Sequence, residues 1–322
     1  MTALNLPISA SRLAIAPSSP WRRALRSPRV IVGGSILLFM LMICVITLFF
    51  TVRDGHALYF DQQRPELSRD VDSLRPGGEV WRWFGGDKLG RSILGRCLLG
   101  GSLSLAIGLA AAVISVAVGV TVGLLAGYRG GRVDAILMRS VDVLYGLPYI
   151  LLVILFKIAL EDPLARLFNS SFAANIVVLF LAIGLVSWLT MARVVRGQVL
   201  SLRAQPFIEA ARAAGVPERR IFTRHLLPNL VGPIVVYATL IVPQAILQES
   251  FLSFLGVGIQ DPLPTWGSLA SEGLLLSLSP VNPRWWMLLF PCTLLAITLL
   301  SLNFLGDGLR DVFDPKRDGT EL

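Results

Sequence analysis

Five stretches of the chain carry no charged residue for longer than a bilayer is thick. They are residues 30–52 (23 residues), 97–128 (32), 167–192 (26), 226–248 (23) and 285–306 (22). An α-helix needs about 20 apolar residues to cross the hydrocarbon core. A sixth stretch, 143–160, has 18 residues and contains Lys157. A lysine about one turn from a helix end can snorkel its stem to the headgroups. The pattern therefore predicts six spanning helices, with Gly100-Gly101-Ser102 at the interfacial entry of the second. The apolar residues are gathered in blocks, so amphipathic stripes of a soluble domain are not expected.

Composition supports this fold class. Of 322 residues, 54% are hydrophobic and 16% charged, and the mean hydropathy is +0.68. Soluble domains run nearer a quarter charged. The first apolar run is too long for a signal peptide and follows nearly thirty residues, so it reads as a retained anchor. Arginine and lysine set the orientation. With the N-terminus inside, segments 1–29, 128–140, 193–229 and 307–322 hold 18 of these cations. The segments 52–101, 161–173 and 253–284 hold 10, so both termini are expected on the cytoplasmic side. This bias accounts for the net charge of +8 without nucleic acid as a partner. The basic stretch Trp21-Arg22-Arg23-Ala24-Leu25-Arg26 then lies against membrane lipid.

Catalytic chemistry is sparse. Cys44, Cys97 and Cys292 show no pairing or metal-ligand spacing, and His56 and His225 stand far from them. The chain has no phosphate-binding Gly-x-x-x-x-Gly-Lys-Ser/Thr loop, nucleophile elbow or His-Glu-x-x-His pair. No catalytic, metal or cofactor site is expected. Residues 1–20 are Ser-, Pro- and Ala-rich and read as disordered, and 53–84 as a polar outer loop or small subdomain broken by Pro76-Gly77-Gly78.

The segment 205–220 carries more information. Pro206 suits a first helical turn, and the alanine-rich stretch after it favours helix. Gly215 stands where a helix ends in a left-handed residue, and Pro217 begins a second helix running to Leu227-Pro228. The expected product is a short helix-turn-helix between the fourth and fifth spans.

Glu209-Ala210-Ala211, then Gly215, then His225-Leu226-Leu227-Pro228 resembles the EAA loop of ABC importer permeases, with His225 in place of the usual isoleucine. In that family the loop is the coupling helix that fits a cleft on the ATPase subunit. The resemblance implies that Glu209 makes the polar contact and that Ala210 and Ala211 allow close approach. Gly215 turns the chain, and Leu227 and Pro228 lead into the fifth span. The run from Glu249 to Gln260, with Pro262, Pro264 and Trp266-Gly267, is similar to dipeptide/oligopeptide permeases, as is the tail from Asn303 to Pro315. Gly85-Gly86-Asp87-Lys88-Leu89-Gly90-Arg91 matches more loosely. There Gly86 replaces the usual threonine, Ser92 the usual aspartate, and Gly95-Arg96 the usual Ser-Arg.

The resemblance implies an all-α polytopic permease. It divides into a cytoplasmic tail 1–29, a first helix 30–52, an extracytoplasmic loop 53–96, a core 97–306 with the coupling loop 193–229, and a tail 307–322. The partners it implies are a homologous second permease, two ATPase subunits that bind ATP and Mg, and an extracytoplasmic solute-binding protein. Peptides are the implied solute, with nickel as an alternative. Gln248, Glu249 and Ser250 are candidates for the translocation path, since a carboxylate facing lipid is costly. Glu249 otherwise reaches the outer headgroup water. Two rivals predict different residues. An ion-coupled secondary transporter calls for ionisable groups at mid-membrane, where Asp142 and Glu249 lie only near span ends. A membrane enzyme calls for a nucleophile–base or metal constellation, which is missing.

Overall fold

The computed structural model describes residues 20–68, 70–259, 261–280 and 282–313. Nine helices of eight residues or more carry the fold of the described residues. They are α1 (Pro28–Val52), α2 (Ile93–Arg129), α3 (Gly131–Tyr145), α4 (Tyr149–Phe168), α5 (Ser171–Arg203), α6 (Pro206–Ala213), α7 (Leu227–Phe254), α8 (Trp266–Ser277) and α9 (Trp286–Phe313). No strand forms among the described residues, where β pairing is a single bridge between Gly86 and Ser92. Local sequence starts these helices: Pro28 sits in the first turn of α1, and Ser92, Ser170 and Thr265 accept backbone N–H bonds as N-caps of α2, α5 and α8.

The centre of the bundle is the pairing of α2 with α5. Small residues recur every fourth position on α2, at Ala111, Ser115, Gly119, Gly123 and Gly127. A Cβ at Gly119 would lie 2.6 Å from Met191 Cβ, and one at Gly123 2.6 Å from the Ala192 carbonyl oxygen. The two backbones thus approach more closely than any side chain permits, which maximises dispersion contact where lipid supplies no hydrophobic drive. Ser115 Oγ donates to the Ser187 carbonyl at 3.0 Å across the same seam. Around it, Ile107, Leu152, Leu179, Ile183 and Ala245 form a core shared by α2, α4, α5 and α7. α1 is peripheral: Gly33, Met40, Cys44 and Thr51 face inward, while Phe39, Val45, Ile46 and Phe49 remain exposed as a lipid-facing side.

α1 starts where α9 ends, and Arg29 Nη1 reaches Asp311 Oδ2 at 2.7 Å. At Gly232 an added Cβ would lie 2.9 Å from Phe313, so the start of α7 sits at this same end, termed here the α6 end. The first and last described helices therefore open and close on one face, as an even number of crossings requires.

The expected spans are present with altered edges. Among the described residues, five helices are long and apolar enough to cross a membrane, and six spans result if α3 and α4, bent by 101°, count as one. The expected straight span 143–160 is broken at Gly146-Leu147-Pro148. The ring of Pro148 disfavours a helical residue before it, so α3 ends and α4 restarts at a steep angle. Lys157 has a partner within the fold. Its Nζ donates to the Val257 carbonyl at 2.8 Å, tying α4 to the turn after α7. Gly100-Gly101-Ser102 lies about two turns inside α2, where a Cβ at Gly101 would meet Trp266. Helix also continues past 192 to Arg203 and past 306 to Phe313. The disorder expected for 1–20 falls outside the described residues except at Pro20, as do Gln260, Asp314 and Pro315.

The α2–α5 seam makes a direct prediction. Gly123→Leu forces a side chain against the Ala192 backbone, and overpacking of this kind costs about 1–3 kcal/mol. The thermal midpoint of the purified protein should fall. Gly197→Ala, with open space around its Cβ, should leave the midpoint in place or raise it. Equal midpoints for Gly123→Leu and the wild type would show that α2 and α5 do not pack at this distance.

Candidate functional site

Two regions gather the candidate residues. At the α6 end, α6 lies across a cluster formed by Tyr128, Val195, Val199, Ile221, Leu226 and Leu230. Ile208 anchors it there with 0% exposure. The flanking residues turn outward: Phe207 is 44% exposed, and Glu209 and Ala210 are exposed with it. Ala211 is partly buried and packs against the same cluster. Arg212 lies over the Tyr128 ring at 4.5 Å, and Phe222 meets that ring edge-on at 4.7 Å. α6 thus leaves Phe207, Glu209 and Ala210 exposed around an inward face made by Ile208 and Ala211.

The turn after α6 forms as its glycine suggests. Gly215 has φ +72°, its N–H donates to the Arg212 carbonyl at 2.9 Å, and the Val216 N–H donates to the Ala211 carbonyl at 3.1 Å. These are the two bonds of a Schellman motif, with Val216 returning to the apolar cluster. The second helix starts after Pro217 as expected, but it is continuous with the fifth span. Glu218–Arg220 passes through a π-helical turn, Ile221–Leu226, straight into α7. The cause is Pro228, which lacks an N–H and crowds the carbonyl four residues earlier. Widening the turn relieves that contact, the Leu227 N–H bonds to the Phe222 carbonyl, and Asn229 Nδ2 takes the His225 carbonyl at 2.6 Å. Leu227 and Pro228 therefore lie within a continuous helix, both exposed.

The second region is a cavity of about 320 Å³ at mid-bundle, bounded by the α3–α4 break, the middle of α5 and α7. Of the three path candidates, it recruits Gln248 alone, together with Gln244, Tyr149, Ser187 and Thr190. Glu249 and Ser250 point the other way, a correction to both readings of Glu249. Its carboxylate is 0% exposed and reaches neither headgroup water nor an open path. It accepts from Ser253 Oγ at 2.7 Å and Ser104 Oγ at 3.2 Å, with Ser250 Oγ at 3.5 Å. Adjacent Gln248 and Glu249 cannot share a helix face, since successive residues are about 100° apart.

A further cluster, at the end opposite α6, belongs to the loosely matching segment 85–96. Asp87, Arg91 and Arg96 are all buried. Asp87 Oδ2 accepts from Arg91 Nε at 2.6 Å and Arg96 Nη1 at 3.1 Å. Arg96 also grips Glu272 of α8 through both terminal nitrogens at 2.6 and 2.8 Å, while Arg91 reaches Asp61 at 3.1 Å. Trp286, fully buried, donates to the Gly86 carbonyl at 3.0 Å, so it serves as packing, whereas Trp285 stays 49% exposed. The spacing of Asp87 from Arg91 and Arg96 was the available signal for this network. Glu272 had none. Among the described residues no three His, Cys, Asp or Glu side chains group as metal ligands.

The profile of the family described as "Binding-protein-dependent transport system inner membrane component" matches residues 119–319. The oligopeptide transport system permease protein OppC of Escherichia coli (strain K12) is 48% identical over 244 residues, 76% of each chain. That of Salmonella typhimurium is 43% identical over 95% of this chain and 94% of its own. The dipeptide transport system permease protein DppC of Bacillus subtilis is 40% identical over 92% of this chain and 84% of its own. Among solved structures, an inward-facing conformation of the MetNI methionine ABC transporter superposes with TM-score 0.52. At 20% identity it covers 68% of this chain and 97% of that one, a likeness of fold.

The environment of Glu249 predicts distinct outcomes for two substitutions. Glu249→Gln keeps an acceptor for the surrounding hydroxyls and should fold and assemble near wild-type levels. Glu249→Leu leaves several buried hydroxyls without their partner, at about 1–3 kcal/mol for each group, and should lower the thermal midpoint markedly. Equal midpoints for the two variants would remove the carboxylate from the packing of α2, α7 and α8.

Proposed function

The chain belongs to the family of binding-protein-dependent transport system inner membrane components, and from that premise we propose that it is one of two homologous membrane subunits of a peptide importer. It is a multi-pass plasma-membrane protein of the bacterial type, a transport component of an ABC importer that works with ATPase subunits, and not an enzyme. That family displaces the secondary-transporter reading. Peptides are proposed as solute because the relatives are oligopeptide and dipeptide permeases, and others are named for glutathione. Nickel is not favoured by any of these.

In the proposed assembly the α6 end is cytoplasmic, consistent with its richer share of arginine. Two ATPase subunits bind ATP and Mg, a second permease completes the path, and a solute-binding protein delivers from outside. The observation that carries the reading is the build of α6: Glu209 and Phe207 exposed beside Ile208, which is locked into the ends of α2, α5 and α7. A displacement of α6 by closing ATPases is passed through Ile208 to α5 and α7. Those two helices also wall the mid-bundle cavity, through Thr190 on one and Gln244 and Gln248 on the other. Pushing one short helix therefore reshapes the cavity, the physical content of alternating access.

Two measurements test this. Gly215→Val meets no neighbour within 4 Å, so its cost is backbone strain alone, about 1–3 kcal/mol. In proteoliposomes containing the whole complex, Gly215→Val and Glu209→Ala should each reduce ATP-driven peptide uptake while membrane insertion survives. Full uptake in both variants would reduce α6 to a connector. For orientation, a membrane-impermeant thiol reagent should label Glu66→Cys from outside the cell and Ala213→Cys only from inside. The reverse pattern would overturn the cytoplasmic placement of α6.

A further inference from the structure

The mid-bundle cavity has a lining that selects for one kind of chemistry. No Asp, Glu, Lys, Arg or His side chain faces it. Its polar groups are two carboxamides, Gln244 and Gln248, and the hydroxyls of Tyr145, Tyr149, Ser187 and Thr190, set among aliphatic residues. Ser187 is already engaged, donating to the Ile183 carbonyl at 2.8 Å. Tyr149 Oη and Gln248 Oε1 are not: both atoms are buried and have no hydrogen-bond partner. Tyr149 and Gln248 come from different helices, and both residues line one space. An unpaired buried donor or acceptor costs about 1–3 kcal/mol, so two of them at one cavity point to a visitor that supplies what they lack.

The visitor must present donors and acceptors together, because a carboxamide offers an N–H donor and a carbonyl acceptor, and a phenol does both. The peptide group offers the same pair. A charged side chain finds no counter-charge here, and a purely apolar one leaves Gln248 and Tyr149 unsatisfied. The volume, about 320 Å³, falls at the small end of ligand sites, which run from roughly 300 to 1,000 Å³.

Resting on the peptide reading above, we propose that this cavity is a transient binding station that holds the peptide backbone. Gln244, Gln248 and Tyr149 bond to main-chain amides, and the uncharged lining leaves the permease indifferent to side-chain charge. Selection among peptides then falls to the binding protein. The station is reset when α6 shifts α5 against α7.

The test uses the whole complex in proteoliposomes with its binding protein, and reads ratios. The probes are tri-alanine and its backbone N-methylated analogue. The binding protein's own preference is common to every permease variant and cancels when variants are compared. The wild type should favour the unmethylated peptide, and Gln244→Leu with Gln248→Leu should lose roughly tenfold of that preference, the loss of about 1.4 kcal/mol in discrimination. Should that pair fail to assemble, Gln248→Met, unbranched and close in length, is read in the same way. In addition, Thr190→Asp places a charge in the neutral lining, and should shift uptake toward Ala-Lys-Ala over Ala-Glu-Ala by about tenfold, with Thr190→Val shifting neither. Unchanged ratios in these variants overturn the station and leave a water-filled cavity. No uptake of any peptide by the wild type overturns instead the peptide reading on which it rests.

Discussion

The closeness of α2 and α5 is the constraint on which the rest depends. Between Gly119, Gly123 and Gly127 on one helix and Met191, Ala192, Val195 and Val199 on the other, no added Cβ fits. In lipid, helices gain no hydrophobic advantage from meeting, so contact area and shape decide the pairing. The seam also fixes the rotation of α5. With Met191 and Val195 turned to α2, Thr190 is directed to the cavity. Arg196 is directed to α3, where it holds Asp134 with both nitrogens at 2.5 and 2.6 Å. Farther along, Arg203 donates to the Gly127 carbonyl at 3.0 Å, one of the carbonyls left over at the end of α2. One stripe of small residues thereby sets the cavity wall, the position of α3 and the platform under α6.

From that platform, the apparatus at the α6 end reads as a lever with a stiff joint on each side. The Schellman turn at Gly215 holds α6 at a set angle to the chain that follows. The π-helical turn at 221–226 allows Pro228 inside α7 without ending the helix. Turns of this kind often mark functional positions, because the wider ring is less tightly bonded and can shift register. Here it lies between the proposed contact with the ATPase and the part of α7 that carries Gln244 and Gln248.

Much of this was legible in the sequence, and the exceptions share a cause. The long apolar runs marked the spans, since a bilayer demands length and low charge of every segment separately. The EAA-like loop marked α6, and Gly215 its end, because a positive φ asks for glycine. The break at Gly146-Leu147-Pro148 was written in its proline, but the apolar count ran over it. The Gly119-x-x-x-Gly123-x-x-x-Gly127 stripe was equally visible and carries a known meaning in an apolar helix. By contrast, Glu249 and Lys157 were placed by their cost in lipid, and both have local partners instead. Ser104 lies 145 residues from Glu249 and the Val257 carbonyl 100 from Lys157, and no periodicity announces them, whereas Ser253, one turn beyond Glu249, was within reach of helical spacing. Gln248 and Glu249 sit side by side in sequence yet face a cavity and a buried hydroxyl cage respectively.

The end opposite α6 is held by charge, and this difference in chemistry has a mechanical consequence. Asp87, Arg91, Arg96, Asp61 and Glu272 form a connected set in which each buried charge faces an opposite one. Such a set adds little net stability over apolar packing, since desolvation offsets most of the attraction. Its effect is on geometry: a bidentate arginine such as Arg96 fixes α8 to α2 in both distance and angle. Apolar packing permits small slides, whereas a shared ion network resists them because any displacement strands a charge. Lys157 extends the same restraint from the turn after α7 to α4. The two ends of the bundle thus differ in where their charges sit: at the α6 end the pairs Arg29–Asp311 and Arg129–Glu218 are exposed and α6 itself rests on aliphatic contacts, whereas at the opposite end Asp87 and the arginines it pairs with are buried. In the proposed mechanism, motion introduced at α6 passes to α5 and α7, which border the cavity in the middle of the bundle.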